Sequence, residues 1–415
     1  MKFGKINSLG KVSKTDFLLK MWPAGLVRLI PSAGFIFLTS FMNYNYSAEE
    51  SSTFISAVST TLFCVIIMQF GIENYIIRKI ASQSENYRWQ TAYLLSLLVC
   101  FTLMFPFAMA GIIKMESLYL TIGLFLISTF SAEAKGSSRP ALGSFLELGS
   151  LFFYFALFLC ANVYLEISRR PVLELFLFFT VASAVLLTPI RFITTLGNSG
   201  TWVIEKPIHS SFDIEERFTL FVFSLQIYLV QWGVISAWGA YFSHEDFVII
   251  SILYKCSFVM LFFSTLINTV YSPAFARLWS NGEIQSFSNL YRTTKKAGIV
   301  LVAISAPAYL VYFLTHDYWF PYNNDLNILF LSFIVVSSIS LVYGSTNYCM
   351  MMSGHSKALN LISLLATSVG MFLMAVAMQS GRLYEGVYVF SASLVIKFLL
   401  LDHYLRSKVG KSIGG

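Results

Sequence analysis

A chain of 415 residues that is 56% hydrophobic, only 12% charged and carries 40 phenylalanines is too apolar for a soluble globular domain of its size. Its net charge of +7 could suit nucleic acid, but the basic residues gather in alternate loops, the pattern of a membrane protein that keeps positive charge on the cytoplasmic side. The composition therefore predicts an all-α polytopic membrane protein with no nucleic-acid partner.

In chain order, residues 1–22 form a Lys-rich polar segment without an apolar core, expected as a cytoplasmic lead-in and not a cleaved signal. Twelve stretches of membrane-spanning length follow: 23–42, 53–75, 91–113, 118–134, 144–165, 172–190, 218–240, 247–275, 297–315, 326–350, 359–379 and 385–405. Residues 191–217, the longest connection, are expected as a cytoplasmic linker between a six-span lobe over 23–190 and another over 218–405, with a tail over 406–415.

The basic residues test that count. Lys2, Lys5, Lys11, Lys14 and Lys20 precede the first span. The alternate loops then carry Arg78, Lys79 and Arg88; Lys135 and Arg139; Arg191, Lys206 and Arg217; Arg277, Arg292, Lys295 and Lys296; Lys357; and finally Arg406, Lys408 and Lys411. The opposite loops hold only Lys114, Arg169, Arg170 and Arg382, so both termini are expected in the cytoplasm. The two halves also look related. Shifted by 196 positions, the segment from Tyr46 lies over that from Phe242, setting Glu49 and Glu50 on Glu245 and Asp246, and Tyr75 on Tyr271. Copies with an even number of spans share one orientation, which places a cavity between two lobes.

Signatures of catalysis are missing. The histidines are scattered, the five cysteines fall inside spans at irregular intervals, and neither a phosphate-binding Gly-Lys loop nor a Gly-x-Ser-x-Gly elbow occurs. The outer loops are too short for a glycosyltransferase or polymerase domain. No cofactor or metal is expected, and the reading is of a transporter.

Charges inside spans are costly and mark polar paths, so Arg28 in the first span and Lys255 in the eighth are the primary candidates for binding an anionic headgroup. Phosphate and pyrophosphate are the groups that such cations recognise most readily. Each has a structural alternative: Arg28 could pair with Glu73 of the second span, and Lys255 could extend its stem toward the interface. Lys397, midway along the last span, is either a cavity group or a surface cation held by a neighbour. Ser224, Tyr228, Gln231 and Trp238 recur at helical spacing in the seventh span, a face that suits either sugar hydroxyls and rings or interhelical packing.

With these residues in view, the chain resembles the polysaccharide-transporter branch of the multidrug/oligosaccharidyl-lipid/polysaccharide exporter (MOP) superfamily, specifically O-antigen flippases of the Wzx type. The resemblance runs nearly full length: the Lys-rich start, the span-1 arginine, FGIENYIIRKIA closing span 2, and ILYKCSF in span 8. It implies a MATE-like fold in the bacterial inner membrane that moves an undecaprenyl-pyrophosphate-linked oligosaccharide from the cytoplasmic to the periplasmic leaflet by alternating access. Arg28 and Lys255 match basic positions of such flippases. The resemblance further implies H⁺ or Na⁺ as coupling ion, and a polymerase and chain-length regulator of the same pathway as partners. A MATE-like drug/cation antiporter is the first alternative, which would want a deep carboxylate. An O-antigen polymerase is the second.

Overall fold

The computed structural model describes residues 30, 33–73, 115–136, 140–146, 148–166, 170–198, 214–257, 281–319 and 324–414, with seven single positions between 263 and 279. Among them, six helices are long and apolar enough to cross a membrane, and three shorter apolar helices accompany them. These nine match expected spans 2, 4 to 7 and 9 to 12. The other three expected spans lie partly or wholly outside the described residues. The described residues divide into two compact units, one over Ile30–Ile252 and one from Leu253 onward.

In the first unit, α1 covers 33–45 and α2 covers Ala48–Gln69. Ser47 starts α2 by accepting the Glu50 amide on its hydroxyl, while Glu49 and Glu50 complement the positive end of the helix. Glu50 then reaches further, its Oε1 accepting the Val172 amide at 2.9 Å. α2 packs against α3 (Met115–Gly136), α5 (Val172–Asn198) and α6 (Ile214–Tyr228). α4 spans Leu148–Tyr164. The unit's core is aromatic: Phe54, Phe152, Phe155 and Phe176 meet edge-on, stacked or tilted at centroid distances of 4.8 to 6.2 Å.

α2 ends at a left-handed turn, Phe70 at φ 40° and Gly71 at φ 74°. A Cβ on Gly71 would lie 2.4 Å from the Arg217 carbonyl oxygen, so only glycine permits α6 to cross there. Glu73 lies two residues past that turn, an interruption that an apolar run does not reveal.

α6 is interrupted. After Tyr228 it takes one π-helical stretch, Leu229–Gly233, before resuming as Val234–Trp238, and together they form one apolar span from Arg217 to Trp238. α7 follows at His244–Ser257.

In the second unit, α8 runs for 36 residues over Ile284–Trp319, about 54 Å at 1.5 Å per residue, so it extends well beyond the 30 Å or so of a bilayer core. α9 (Asn324–Tyr343) stops at Gly344, and α10 (Ser345–Met352) begins at once. Close packing calls for glycine at this break: a Cβ on Gly344 would lie 2.2 Å from the Ser264 hydroxyl and 2.5 Å from the Ser340 carbonyl oxygen. α11 (Ser356–Gln379) and α12 (Leu383–Gly414) form the tightest pair in the unit, joined by a turn in which Gly381 has φ 77°. Small residues allow the approach, for a Cβ on Gly370 would fall within 2.0 Å of the Ser393 hydroxyl. On its other side α11 presents Leu361, Leu365, Val369, Phe372 and Val376, an exposed apolar stripe suited to lipid.

Candidate functional site

Three helices of the second unit converge on one carboxylate. α12 buries a stripe through Phe390, Leu394, Leu401 and Leu405, and Asp402 sits on that stripe, 7% exposed. Tyr291 and Lys295 lie one turn apart on α8, the spacing that puts two side chains on one face. Tyr291 donates its hydroxyl to Asp402 Oδ1 at 2.5 Å, and Lys295 Nζ donates to the same oxygen at 2.9 Å. From α12 itself, Arg406 holds the other oxygen, Nε to Oδ2 at 3.0 Å. α10 adds Thr346, whose hydroxyl is 2.7 Å from that of Tyr291, and Ser345, which accepts from Thr294 at 3.0 Å.

Every oxygen of Asp402 thus meets a donor, and the ring of Tyr343 lies 4.0 Å from the Lys295 ammonium. Hydrogen bonds to a charged acceptor contribute about 1.5 to 3 kcal/mol each, more than neutral pairs do. The centre is closed where Thr346, Ser345 and Thr294 are buried but not at Arg406, which is exposed, as are Arg292 and Lys296 nearby on α8.

Sequence reasoning missed this centre. It treated Lys295 and Arg406 as loop charges and did not single out Asp402, although the run FLLLDHYLR sets an acid one helical turn before an arginine inside an apolar stretch.

The residues chosen from sequence are distributed as follows. Arg28 lies outside the described residues. Lys255 falls in the last turn of α7 and is half-buried. Its neighbour Tyr254 packs edge-on against Phe333 of α9, centroids 4.9 Å apart, and Ser257 accepts from Ser337 at 3.2 Å. Lys397 is 7% exposed, and its ammonium lies 4.7 Å from the centroid of the Phe398 ring. Among the described residues no hydrogen bond or ion pair reaches it. Five residues along α12 separate it from Asp402, about 7.5 Å. Lys255 and Lys397 thus belong to the same unit, on two helices that each pack against α9.

The seventh-span face does not keep its register. A π turn uses more residues than an α turn, so positions beyond Gly233 fall behind the 3.6-residue period that would align Trp238 with Ser224 and Tyr228. Trp238 is fully buried. Tyr228 is buried too, donating to the Ser59 carbonyl at 2.8 Å. Ser59 in turn donates to the Trp232 carbonyl at 2.8 Å and accepts from Ser236 at 2.6 Å. Ser224 and Gln231 are half-buried.

No family model and no curated protein sequence matches the chain. Solved structures do. An inward-facing multidrug resistance MATE family transporter of the MOP superfamily superposes with a TM-score of 0.59 at 10% identity, over 94% of this chain and 99% of the other. MATE in complex with MaL6 gives a TM-score of 0.57 at 12% identity, over 97% of this chain and 100% of the other. At these identities the likeness is one of fold, and the chain has the all-α membrane-transporter fold of those structures.

Proposed function

We propose that this chain is a flippase that carries an undecaprenyl-pyrophosphate-linked oligosaccharide across the bacterial inner membrane by alternating access, with the headgroup held by Arg28, Lys255 and Lys397. The observation that carries the reading is Lys397. A cation buried midway along a membrane helix costs about 2.5 to 3.5 kcal/mol on insertion scales, and here no acid offsets it among the described residues. Such a group is retained where an anion passes. Pyrophosphate fits it.

The MATE fold of the neighbours favours a second reading, a drug/cation antiporter. Its requirement is a carboxylate available to a cation. Asp402, the one buried acid among the described residues, is already held by Lys295 and Arg406, which supports the anionic cargo over the cationic one.

The test is export complementation in a deletion strain that accumulates lipid-linked repeat units. Arg28→Ala, Lys255→Ala and Lys397→Gln proteins at matched levels are expected to leave units on the cytoplasmic leaflet. Normal surface polysaccharide from all three would sink the cationic route, and efflux of cationic drugs by purified protein would promote the antiporter.

A further inference from the structure

We infer that the Lys295–Asp402–Arg406 centre is an anion site carrying its own counter-anion, so that a phosphate-class ligand binds there together with a proton. The inference rests on the anionic-cargo reading and adds to it a second station and the identity of the co-bound ion.

The geometry supplies each part. Two cations from different helices flank one carboxylate, at 2.9 Å and 3.0 Å, which is the arrangement that would receive a phosphate if the carboxylate withdrew. Access exists on one side only: Arg406 is exposed, whereas Thr346, Thr294 and Ser345 close the other side. A metal cation has no place here, because both carboxylate oxygens are occupied by N–H and O–H donors and Lys295 would have to leave. An anion meets the opposite situation. It takes over the Lys295 and Arg406 donors, and the carboxylate loses the positive charges that keep it ionised while gaining a negative neighbour.

Few groups compete for the released proton demand. On α8 the groups facing Asp402 are Tyr291 and Lys295, and on α12 Arg406. α10 offers the Thr346 hydroxyl through Tyr291 and the Cys349 thiol near it. α9 offers the Tyr343 ring against Lys295, its Asp325 lying at the opposite end of the helix. The single charge on α11, Lys357, is exposed and outside the centre. Asp402 is therefore the group that titrates. The step balances: a buffer acid gives one proton to the carboxylate and leaves as its conjugate base, and the ligand's phosphate oxygen replaces the carboxylate as acceptor on Lys295 Nζ and Arg406 Nε, with no covalent bond made to the ligand. Linkage is reciprocal, so a ligand that binds with a proton binds more tightly as pH falls, and a proton gradient acquires a handle on cargo release.

The experiment is calorimetric titration of the purified full-length protein, in lipid nanodiscs, with inorganic pyrophosphate in buffers of different ionisation enthalpy. Because pyrophosphate titrates on its own, the readout is the difference between proteins. Wild type is expected to take up about one proton more per bound pyrophosphate than Asp402→Asn, and Asp402→Glu to retain the uptake. Lys295→Gln is expected to weaken binding about tenfold, as loss of a charge-assisted partner does. Equal proton counts in wild type and Asp402→Asn overturn the inference, as does unchanged affinity in Lys295→Gln. If Asp402→Asn does not fold, Lys295→Gln and Asp402→Glu decide alone. Failure of the parent reading looks different: wild type then binds no pyrophosphate, and Lys397→Gln exports normally.

Discussion

The two units each contain a buried polar knot at a helix irregularity, and the knots differ in one respect, charge. In the unit over Ile30–Ile252, Ser59 of α2 receives Tyr228 and Ser236 and donates to the Trp232 carbonyl, tying α2 to the π-helical stretch of α6 with neutral groups only. In the unit over Leu253–Gly415, the break at Gly344 is likewise surrounded by hydroxyls, but they lead to Asp402, Lys295 and Arg406. A neutral knot satisfies backbone groups that a distorted helix sets free, and its members have nothing to exchange with a ligand. A charged knot with an exposed member does.

The sharpest way to break the comparison is to remove the carboxylate. Asp402→Ala strands a buried ammonium and a buried phenol, and the expected loss is about 3 to 5 kcal/mol, read as thermal unfolding of purified protein. Restoring neutrality with Lys295→Met in the same chain should recover most of it, because replacing both partners removes the desolvation cost along with the attraction.

Lys397 should behave in the opposite way. It has no acid partner to strand, so Lys397→Leu is expected to raise stability by about 1 to 3 kcal/mol while export falls. A gain in one quantity with loss in the other separates a functional cation from a structural one. Reduced stability would place Lys397 with the structural group.

These contrasts explain what could be read from sequence and what could not. The last two helices were legible, expected at 359–379 and 385–405 and found at Ser356–Gln379 and Leu383–Gly414, because apolar content locates a span whatever its packing. The polar tail simply continues the final helix, which hydropathy does not register. Lys397 was visible as an intramembrane charge. The Asp402 centre was not, since Tyr291 and Asp402 are 111 positions apart and only the convergence of α8 and α12 brings them together. The π turn escaped for another reason: its residues carry no composition signal, and periodicity analysis assumes the regular period that the turn breaks.

A third prediction tests the close crossing that positions the neutral knot. Gly71→Ala places a methyl 2.4 Å from the Arg217 carbonyl oxygen at φ 74°, and should cost about 2 to 3 kcal/mol in thermal unfolding. Gly282 has nearly the same φ, 72°, with nothing within 4 Å of its missing Cβ. Gly282→Ala therefore isolates the backbone cost, about 1 kcal/mol. The difference between the two measures the α2–α6 approach alone, and equal losses would mean that the crossing relaxes freely.

The smallest effects belong to the neutral knot itself. Tyr228→Phe removes one donor from the Ser59 carbonyl and should cost about 1 kcal/mol. Ser59→Ala removes the hydroxyl that serves both Trp232 and Ser236, leaving a buried carbonyl short of a donor, for about 1 to 2 kcal/mol. Because the Tyr228 bond goes to the Ser59 backbone, it survives Ser59→Ala. The double-mutant cycle should therefore be close to additive, with a coupling of roughly 0.5 kcal/mol or less. The corresponding cycle between Tyr291→Phe and Lys295→Met should not be additive, since both donors share Asp402 Oδ1. Two knots of similar size would then differ in coupling as they differ in charge, and similar couplings in both would remove the physical basis for assigning ligand exchange to the second.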